Sequence, residues 1–387
     1  MLKSYKTEIY PTPQQIQKIN QSLGICRWLY NSYIAKNKEL YTKFTNGEID
    51  KKQAFVSANN FDKYINNEIK ILDEFKWINN CGSKARKKAI CNAEIAYKNF
   101  FNGKSKFPRF KKKNRNNVKL YFPKNNQGDW KAYRHKIMIP TLKYVRLKEK
   151  GYIPINAKVI SGTISKEADR YYVSVVCEIH NKHITKPKTE SIGIDLGLKQ
   201  FAICSNGKVY GNINKTSKVK KLEKKLKREQ RSLSRKYENK KKGGATSKNI
   251  SKQVLKIQKL HQRLNNIRAD YINKIASELV EQNPSSITIE DLNVSGMMKN
   301  KHLSKAIQQQ KFYEFRVRLT NKCHQNKVEL RVVDRFFPSS KMCNCCGNIK
   351  RDLKLSDRIY KCECGYEVDR DFNASLNLKD ATIYTIA

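Results

Sequence analysis

Acidic residues are scarce in this chain of 387 residues, since Asp and Glu number 34 against 80 Lys and Arg, which gives a formal net charge of +46. A charge this unbalanced argues against an enzyme of small metabolites and against a neutral structural protein, because the folded chain repels itself unless a polyanion neutralises it. The basic excess is spread along the sequence rather than confined to a tail. This distribution indicates nucleic acid as the partner.

Long hydrophobic runs are also missing. No stretch approaches the ~18 consecutive apolar residues of a membrane-spanning helix, and the N-terminal sequence MLKSYKTEIYPT lacks the apolar core of a signal peptide. We therefore expect a cytoplasmic protein with no membrane partner. Hydrophobic residues make up 39% of the chain, which is enough for several small cores, and the aromatic content of 10% is too high for a disordered chain.

The cysteines are concentrated near the C-terminus, where five of the 11 lie. The spacing Cys343-x2-Cys346, fifteen residues, then Cys362-x-Cys364 is typical of two tight turns that supply four thiolates to one structural zinc ion. Unrelated free thiols or disulfides are the alternative, although a reducing cytosol disfavours disulfides. Cys345 is a spare thiol that competes with Cys346. We expect the remaining six to be buried or inert: Cys26, Cys81, Cys91, Cys177, Cys204 and Cys323.

Polarity patterns divide the chain into three regimes, of which the first two cover residues 1–182. The first is predicted to be one strand followed by helices, and the second to be an antiparallel β-barrel or sheet. The predicted elements are a strand at 2–10, helices at 14–41 and 83–101, and β-runs at 136–139, 142–148, 158–165 and 171–179, the last two forming a hairpin around a polar turn at 166–170.

The third regime begins after Lys186-Pro187 and mixes strands with helices. Two long basic helices are predicted within 217–282, separated by a reversal at 239–249. The other predicted elements are strands at 191–197, 285–292 and 328–336, two further strands in FAICSNG and KVYGN, a helix at 304–326 and a terminal helix from about Asn373.

Three acids stand out in this basic sequence: Asp195 in IGIDLG, Glu290 in ITIEDL and Asp371 in DRDFNASLNL. An isolated acid at a strand end is usually a solvated terminus or a helix cap. Two of these acids, however, end apolar strands, where a carboxylate is costly to bury without a cation. Carboxylates are the ligands of magnesium or manganese, and two such ions about 3.5–4 Å apart promote phosphodiester hydrolysis. Together the three acids predict a two-metal site.

These motifs, with the cysteine module between the last two, closely resemble the RuvC nuclease of the TnpB family. Members are transposon-encoded, RNA-guided DNA endonucleases related to the type V CRISPR effectors. The resemblance covers nearly the whole chain. It also rests on YKTEIYPTPQQ (5–15), GICRWLYN (24–31), YKNFFNGKSKFPRFKKK (97–113), ISKEADRYYVSV (164–175) and SSKMCNCCG (339–347).

The resemblance implies a multi-domain α/β fold. A C-terminal ribonuclease H-like RuvC nuclease would contain an inserted zinc ribbon, and an N-terminal wedge β-barrel would contain an inserted helical recognition region. The implied domains are a wedge strand 1–12, helical recognition region 13–103, wedge barrel 104–187, RuvC first part 188–338, zinc ribbon 339–368 and RuvC last part 369–387.

The same resemblance assigns the catalytic triad to Asp195, Glu290 and Asp371, which would bind two Mg²⁺ or Mn²⁺ ions. Asp369 is the alternative to Asp371, but the family pattern places the ligand before x-Asn-Ala. Asp291 is expected to support the site rather than to bind metal. With all three acids present, the resemblance argues against the nuclease-dead, repressor-like relatives.

A basic and aromatic run follows residue 97. Phosphates attract its charges, and splayed bases stack on aromatic faces. We expect most of its aromatic residues to belong to the core and its charges to bind RNA or DNA; the predicted nucleic-acid ligands are Lys104, Lys106, Arg109, Lys111, Lys112 and Lys113. In the helices at 217–280 the apolar stripes are expected to pack, while the basic faces line a channel for an RNA–DNA heteroduplex.

The function predicted from this resemblance is RNA-guided, metal-dependent cleavage of double-stranded DNA beside a short target-adjacent motif, with a single RuvC site cutting both strands. The expected partners are a guide RNA and a DNA target, with one chain per RNA in the cytoplasm of a prokaryotic cell. Three alternatives stay open: a catalytically silent RNA-guided regulator, a DNA transposase, and a nonspecific RNA-binding protein. The last leaves the three acids unexplained.

Overall fold

A computed structural model describes residues 2–113, 118–124, 129–155, 157–179, 189–239, 247–354 and 356–387. The chain divides into two compact units, Met1–His180 and Asn181–Ala387. The predicted domain boundary at 187/188 falls between the described ranges and stays a prediction. In the described part of the chain, no helix is both long enough and apolar enough to cross a membrane.

The first unit opens with strand β1, Leu2–Tyr10, and helix α1, Pro13–Thr45. Thr12 and Gln15 form a capping box at the start of the helix, since each side chain accepts a hydrogen bond from the other residue's backbone N–H. The Gln15 amide also donates to the carbonyl oxygens of Leu142 and Tyr144, at 2.9 Å each. The cap therefore fixes where the helix begins and ties it to the sheet.

Three further helical segments follow, which confirms that residues 1–103 are mostly helical after one strand. They are helix α2 (Ala58–Tyr64) with a π-helical turn (Ile65–Ile69), a 3₁₀ helix (Asp73–Asn80) and helix α3 (Ser83–Phe101). Buried aromatic and aliphatic side chains of α1 and α3 share one core with the sheet; Tyr33, Ile90 and Tyr97 are each almost fully buried.

The remaining strands of this unit form a seven-stranded antiparallel sheet with β1. They are β2 (Lys119–Pro123), β3 (Lys131–Ala132), β4 (Lys136–Ile139), β5 (Lys143–Leu147), β6 (Lys158–Glu167) and β7 (Arg170–Glu178), in the order β2-β6-β7-β1-β5-β4-β3. The predicted hairpin is confirmed as β6 and β7. Its turn is tighter than predicted, with Ala168 in a left-handed conformation at a φ of 55°.

The sheet is strongly curled. Trp130, beside edge strand β3, lies so close to Gly162 of β6 that a Cβ there would overlap the indole ring. In a flat sheet those positions would be about 24 Å apart, because five strand spacings of ~4.8 Å separate them. A curled sheet is consistent with the predicted barrel, but closure of the barrel stays a prediction.

The second unit contains strands β8 (Ile192–Leu196), β9 (Gln200–Cys204), β10 (Val209–Gly211), β11 (Ser286–Glu290), β12 (Glu329–Val333), β13 (Ile359–Lys361), β14 (Glu367–Asp369) and β15 (Thr385–Ile386). Six of them form a sheet in the order β10-β9-β8-β11-β12-β15. Its centre is parallel, since β11 runs parallel to both β8 and β12, whereas β9, β10 and β15 are antiparallel to their neighbours. The mixed α/β character predicted for this region is confirmed.

The helices of this unit are α4 (Ser217–Glu238), α5 (Lys248–Glu281), α6 (Val294–Met297), α7 (Ser304–Gln310), α8 (Phe312–Asn326) and α9 (Arg370–Lys379). Helices α5, α7 and α8 share a core with the sheet, and α9 packs against β8. The reversal predicted between α4 and α5 lies mostly outside the described residues. Val219, Leu222, Leu260 and Leu264 pack α4 against α5, which confirms the predicted role of the apolar stripes.

Two helix predictions need correction. The single helix predicted at 304–326 is broken at Lys311, which adopts a left-handed conformation with a φ of 59° and separates α7 from α8. The terminal helix begins at Arg370 rather than near Asn373, because Asp369 caps it by accepting hydrogen bonds from the backbone N–H groups of Asp371 and Phe372, both at 3.0 Å.

Candidate active site and metal centre

Two of the predicted catalytic acids end neighbouring parallel strands. Strands β8 and β11 are paired up to Ile194 opposite Ile289, so the next residue on each strand is an acid, Asp195 on β8 and Glu290 on β11. Parallel strands point their carboxyl ends to the same edge of a sheet. The sheet register therefore brings the two carboxylates together.

The two acids also share a face of the sheet. Ile192, Ile194, Ile287 and Ile289 belong to the core shared with α5 and α8, and side chains alternate between faces along a strand. Asp195 and Glu290 therefore lie on the opposite face, where α9 packs.

Helix α9 supplies the third acid because Gly193 lets the helix approach the strand. A Cβ at Gly193 would overlap the Ser375 carbonyl oxygen and the Lys379 amide nitrogen. Asp371 precedes Ser375 by four residues, about 6 Å along a helix, and Asp195 follows Gly193 by two residues, about 6.6 Å along a strand. These distances match, and the pKa of Asp195 is raised by burial and then by the negative charge of Asp371, so the two carboxylates lie near each other.

The electrostatics of the cluster agree with this placement. The pKa of Asp195 is raised to about 7, first by burial and then by the negative charges of Asp371 and Glu290. Burial is also the main reason that the pKa of Glu290 is raised. These shifts mean that ionising Asp195 and Glu290 where they lie carries a cost. A divalent cation would remove that cost, and three carboxylates from three elements suit Mg²⁺ or Mn²⁺.

An arginine that no sequence pattern singled out also lies in this cluster. Arg370 donates to the Asp371 carboxylate from its Nη2 at 2.9 Å and from its Nε at 3.2 Å. Its charge also opposes the rise in the pKa of Asp195. Arg370, whose side chain is 12% exposed, is thus a largely buried counter-charge to Asp371, and its place between two aspartates in DRD was the available signal. Asp369, the alternative to Asp371, is engaged as the helix cap.

Asp291 points away from the cluster. Its carboxylate is paired with Arg316 of α8 and, at 2.8 Å, with Arg335 beyond β12. These two guanidinium groups lower the pKa of Asp291, and its backbone N–H donates to the Val333 carbonyl at 2.9 Å. Asp291 therefore fixes the end of β11 on which Glu290 sits, in agreement with the supporting role expected for it.

The four predicted zinc ligands converge. The Sγ atoms of Cys343, Cys346, Cys362 and Cys364 all lie within 4.8 Å of one another. Cys343 and Cys364 are 3.7 Å apart, and Cys346 and Cys362 are 3.6 Å apart. A tetrahedron of 2.3 Å zinc–sulfur bonds has edges of about 3.8 Å, so the thiols fit one zinc ion. In the turns, Gly347 and Gly365 have φ values of 76° and 85°, which favour glycine.

Two buried asparagines of α9 join the cysteine module to the carboxylate cluster. The Asn373 amide donates to the Met342 carbonyl and accepts from the Asn344 backbone N–H. Asn377 donates to the carbonyl oxygens of Ser339 and Met342, at 2.7 Å each. The loop that carries Cys343 is thereby fixed to the helix that carries Asp371. No sequence pattern signals these bonds, because the partners are backbone groups distant along the chain.

Five of the six remaining cysteines are buried, in agreement with the expectation, and their inertness stays a prediction. Cys26, Cys81, Cys177, Cys204 and Cys323 are buried, Cys91 is half-buried, and the spare Cys345 is exposed.

The predicted nucleic-acid ligands lie in an irregular segment between α3 and β2. Lys104, Lys106, Arg109, Lys112 and Lys113 are exposed, whereas the Lys111 ammonium lies 3.7 Å from the centre of the Tyr30 ring and is half-buried. Burial lowers the pKa of Lys111. The expectation for the aromatic residues was wrong: Phe101, Phe107 and Phe110 are exposed, and Phe100 and Tyr121 are half-buried.

The structure is that of a basic α/β protein. In its second unit a cluster of carboxylates adjoins a module of four converging cysteines. Three family models match the chain: OrfB_IS605, described as a probable transposase, over residues 174–301; Cas12f1-like, TNB domain, over 312–378; and a helix-turn-helix domain of OrfB_IS605 over 1–46. These matches agree with the resemblance to the TnpB family that the motifs carry. The helix-turn-helix range folds here as β1 and the single helix α1.

Similar proteins span nearly the whole chain. A putative RNA-guided DNA endonuclease of Streptomyces pristinaespiralis is 29% identical over 97% of this chain and 88% of its own length. The putative RNA-guided DNA endonuclease InsQ of Escherichia coli K12 is 29% identical over 97% of this chain and 91% of its own. A solved Cas12f1–sgRNA–target DNA complex contains a chain that matches with a TM-score of 0.60, 13% identity and 98% coverage of both chains. The chain therefore has a Cas12f1-like fold.

Proposed function

We propose that this protein is an RNA-guided, metal-dependent endonuclease that cuts double-stranded DNA at one RuvC-type site. The observation that carries the proposal is the meeting of Asp195, Glu290 and Asp371 on one face of a partly parallel sheet. Two of these acids end adjacent strands, and the third is brought in by α9 packing on Gly193. The order of the central strands, an antiparallel hairpin followed by two parallel strands, supports a ribonuclease H-like nuclease.

Asp195, Glu290 and Asp371 would hold the catalytic Mg²⁺ or Mn²⁺ ions. When bound, such ions activate water and stabilise the leaving oxygen in phosphodiester hydrolysis. The protein's own contribution is to hold three carboxylates at one place despite their repulsion, and Arg370 offsets part of that repulsion. Asp291 and its two arginines keep the end of β11 in position.

The zinc ion proposed for the cysteine module would be structural, because four thiolates leave no open coordination position. Its place in the chain supports this role: the module lies between β12 and α9, and Asn373 and Asn377 fix it to α9. Zinc binding would thereby help to hold Asp371 in place.

The nucleic-acid partners are proposed to be a guide RNA and a DNA target. The net charge of +46 supports binding of both, and two relatives that match over 88% and 91% of their own length are named putative RNA-guided DNA endonucleases. In such systems base pairing with the guide reads the sequence, and the protein reads a short motif beside the target. We assign that motif to the first unit and one chain to each RNA.

A DNA transposase is the second candidate, because the OrfB_IS605 model is described as a probable transposase. Purifying the protein from cells that carry its native flanking DNA, and sequencing the RNA that co-purifies, distinguishes the two. A defined RNA with a constant scaffold and a variable end supports the guided nuclease. Random cellular RNA or none, together with joining of transposon ends in a strand-transfer assay, would favour the transposase. A silent regulator would bind guided DNA without cutting it.

A further inference from the structure

The segment that follows α3, residues 102–113, has no regular secondary structure but is fixed at both ends. At its start, the backbone N–H groups of Lys104 and Ser105 donate to the Asn99 carbonyl at 2.8 and 3.2 Å. At its end, the Asn31 side chain accepts from the Lys111 backbone N–H at 2.8 Å and donates to the Lys111 carbonyl at 3.0 Å. The segment therefore presents its side chains in a defined arrangement.

Three phenylalanines in and beside this segment face solvent: Phe101, Phe107 and Phe110 are 59%, 39% and 48% exposed. Two of them rest on a buried ring, since Tyr97 stacks with Phe101 at 6.1 Å and meets Phe107 edge-on at 5.6 Å between ring centroids. Tyr97 is itself held by a 3.0 Å hydrogen bond to the Ile34 carbonyl. Phe101 and Phe107 thus pack on Tyr97 on one side and face solvent on the other.

Exposed cations flank these rings along the chain. The exposed charges are Lys104, Lys106, Arg109, Lys112 and Lys113, and residues 95–113 contain no Asp or Glu. Exposed aromatic clusters in a soluble protein usually mark an interaction site. An apolar protein partner would not neutralise these cations, and a duplex would hide the faces of its bases. Unpaired nucleotides satisfy both features, because phosphates pair with the cations and bases stack on the rings.

We propose that Phe101, Phe107 and Phe110, the phenylalanine surface, stack unpaired bases of the guide RNA. The proposal rests on the proposed function for the presence of a guide. RNA is chosen over the DNA strands because sequence-tolerant stacking of single-stranded loops and ends is a common mode of RNA recognition, and because a resident RNA would keep the surface covered between encounters with DNA.

The first test measures binding of nuclease-treated protein to a 12-nucleotide oligouridylate and to an RNA duplex of the same length across a salt series. Changing all three phenylalanines to leucine keeps the apolar area but removes the ring faces. Stacking is worth roughly 5- to 100-fold per base, so we expect at least about tenfold weaker oligouridylate binding, with the salt slope and the duplex affinity unchanged. Phe336→Leu, at a residue 86% exposed in the other unit, is the matched control and should have no effect.

The Lys104→Ala/Lys106→Ala variant gives the complementary signature. It should lower the salt slope by about 0.7 for each phosphate that the protein no longer neutralises, while the rings still stack. Unchanged oligouridylate affinity in the triple leucine variant would overturn the proposal. Equal losses of affinity for the oligouridylate and for the duplex would also overturn it. An unchanged melting temperature of the variant excludes misfolding as the cause.

The second test locates the partner. Ultraviolet cross-linking of the protein with its co-purified RNA, before DNA is added, should place ribonucleotide adducts on the peptides that carry Phe107 and Phe110. Adducts that form only after target DNA is added and that carry deoxyribose would overturn the assignment to RNA. If no RNA co-purifies, the proposed function itself fails, whereas bound RNA without adducts on these peptides contradicts only the phenylalanine surface.

Discussion

Gly193 of β8 lies against the Ser375 carbonyl oxygen of α9 so closely that no side chain fits between them. This contact brings Asp371 to Asp195, since each acid lies a similar distance from it along its own element. A Cβ at Gly193 would also come within 3.0 Å of the Leu378 carbonyl carbon. The first glycine of IGIDLG therefore sets the geometry of the carboxylate cluster.

Replacing Gly193 with alanine should push α9 off the sheet. We expect a loss of about 1–3 kcal/mol in the free energy of unfolding, as for other overpacked cores, and a large loss of DNA cleavage because Asp371 moves. Denaturant unfolding and cleavage rates measure both. Gly24→Ala is the control: a Cβ there meets only the tip of Arg27 at 4.0 Å within helix α1, so alanine should stabilise by about 0.5–1 kcal/mol. Full activity in the Gly193 variant would contradict the contact.

Asp195→Asn should stabilise the protein when divalent metals are chelated. The pKa of Asp195 is raised from its usual 3.8 to about 7. Between pH 3.8 and about 7 the native state therefore keeps a proton that the unfolded state loses. The wild type loses stability as the pH rises through this range. The melting-temperature advantage of the asparagine variant should thus be smaller at pH 5 and largest at pH 8. Excess Mg²⁺ should stabilise the wild type more than the variant. A pH-independent difference would mean that the carboxylate is not crowded as described.

Removing a zinc ligand should unfold the cysteine module. Cys343→Ser and Cys362→Ser are expected to lower zinc content well below one ion per chain and to destabilise the C-terminal unit, because metal binding contributes directly to folding. Cys345→Ser is the control, since Cys345 is exposed and lies outside the converging thiols. Mass spectrometry of the native protein measures the metal. Zinc retained in the two ligand variants would contradict the site.

Asn377→Ala should separate the cysteine module from α9. The change removes the donor to the Ser339 carbonyl oxygen, whereas the Met342 carbonyl still accepts from Asn373. An unsatisfied buried group costs about 1–3 kcal/mol. Because α9 also carries Asp371, we expect weaker Mn²⁺ binding at the carboxylate centre in a spectroscopic titration. Asn321→Ala, which removes a local bond to the Val317 carbonyl on the exposed face of α8, should leave Mn²⁺ binding unchanged. Equal Mn²⁺ affinity in both variants would count against the coupling.

The sequence predicted those parts of the site that depend on residue type and local spacing. Four cysteines at ribbon spacing converge, and Asp195 and Glu290 end neighbouring strands because apolar runs before each acid mark buried strands. The hairpin of β6 and β7 followed from its alternating polarity. Each of these features depends on residues that lie close together in the sequence.

Features that depend on tertiary contacts were missed. Nothing local breaks the helix at Lys311, where no glycine or proline stands. Asn373 and Asn377 bind backbone carbonyls far away in the sequence, which leave no pattern. The exposure of Phe101, Phe107 and Phe110 contradicted the expectation. Aromatic side chains usually favour the core, whereas here Phe101 and Phe107 contact Tyr97 and still face solvent.

The most direct test of the account is cleavage of a plasmid by the protein with its co-purified RNA. We expect double-strand cleavage only when the plasmid carries a sequence complementary to the variable end of that RNA and only with Mg²⁺ or Mn²⁺. Asp195→Ala should abolish cutting while keeping guided binding, and Asp270→Ala, at an exposed surface acid paired with Lys274, should cut normally. Cleavage that ignores the RNA sequence, or that persists in the Asp195 variant, would contradict the account.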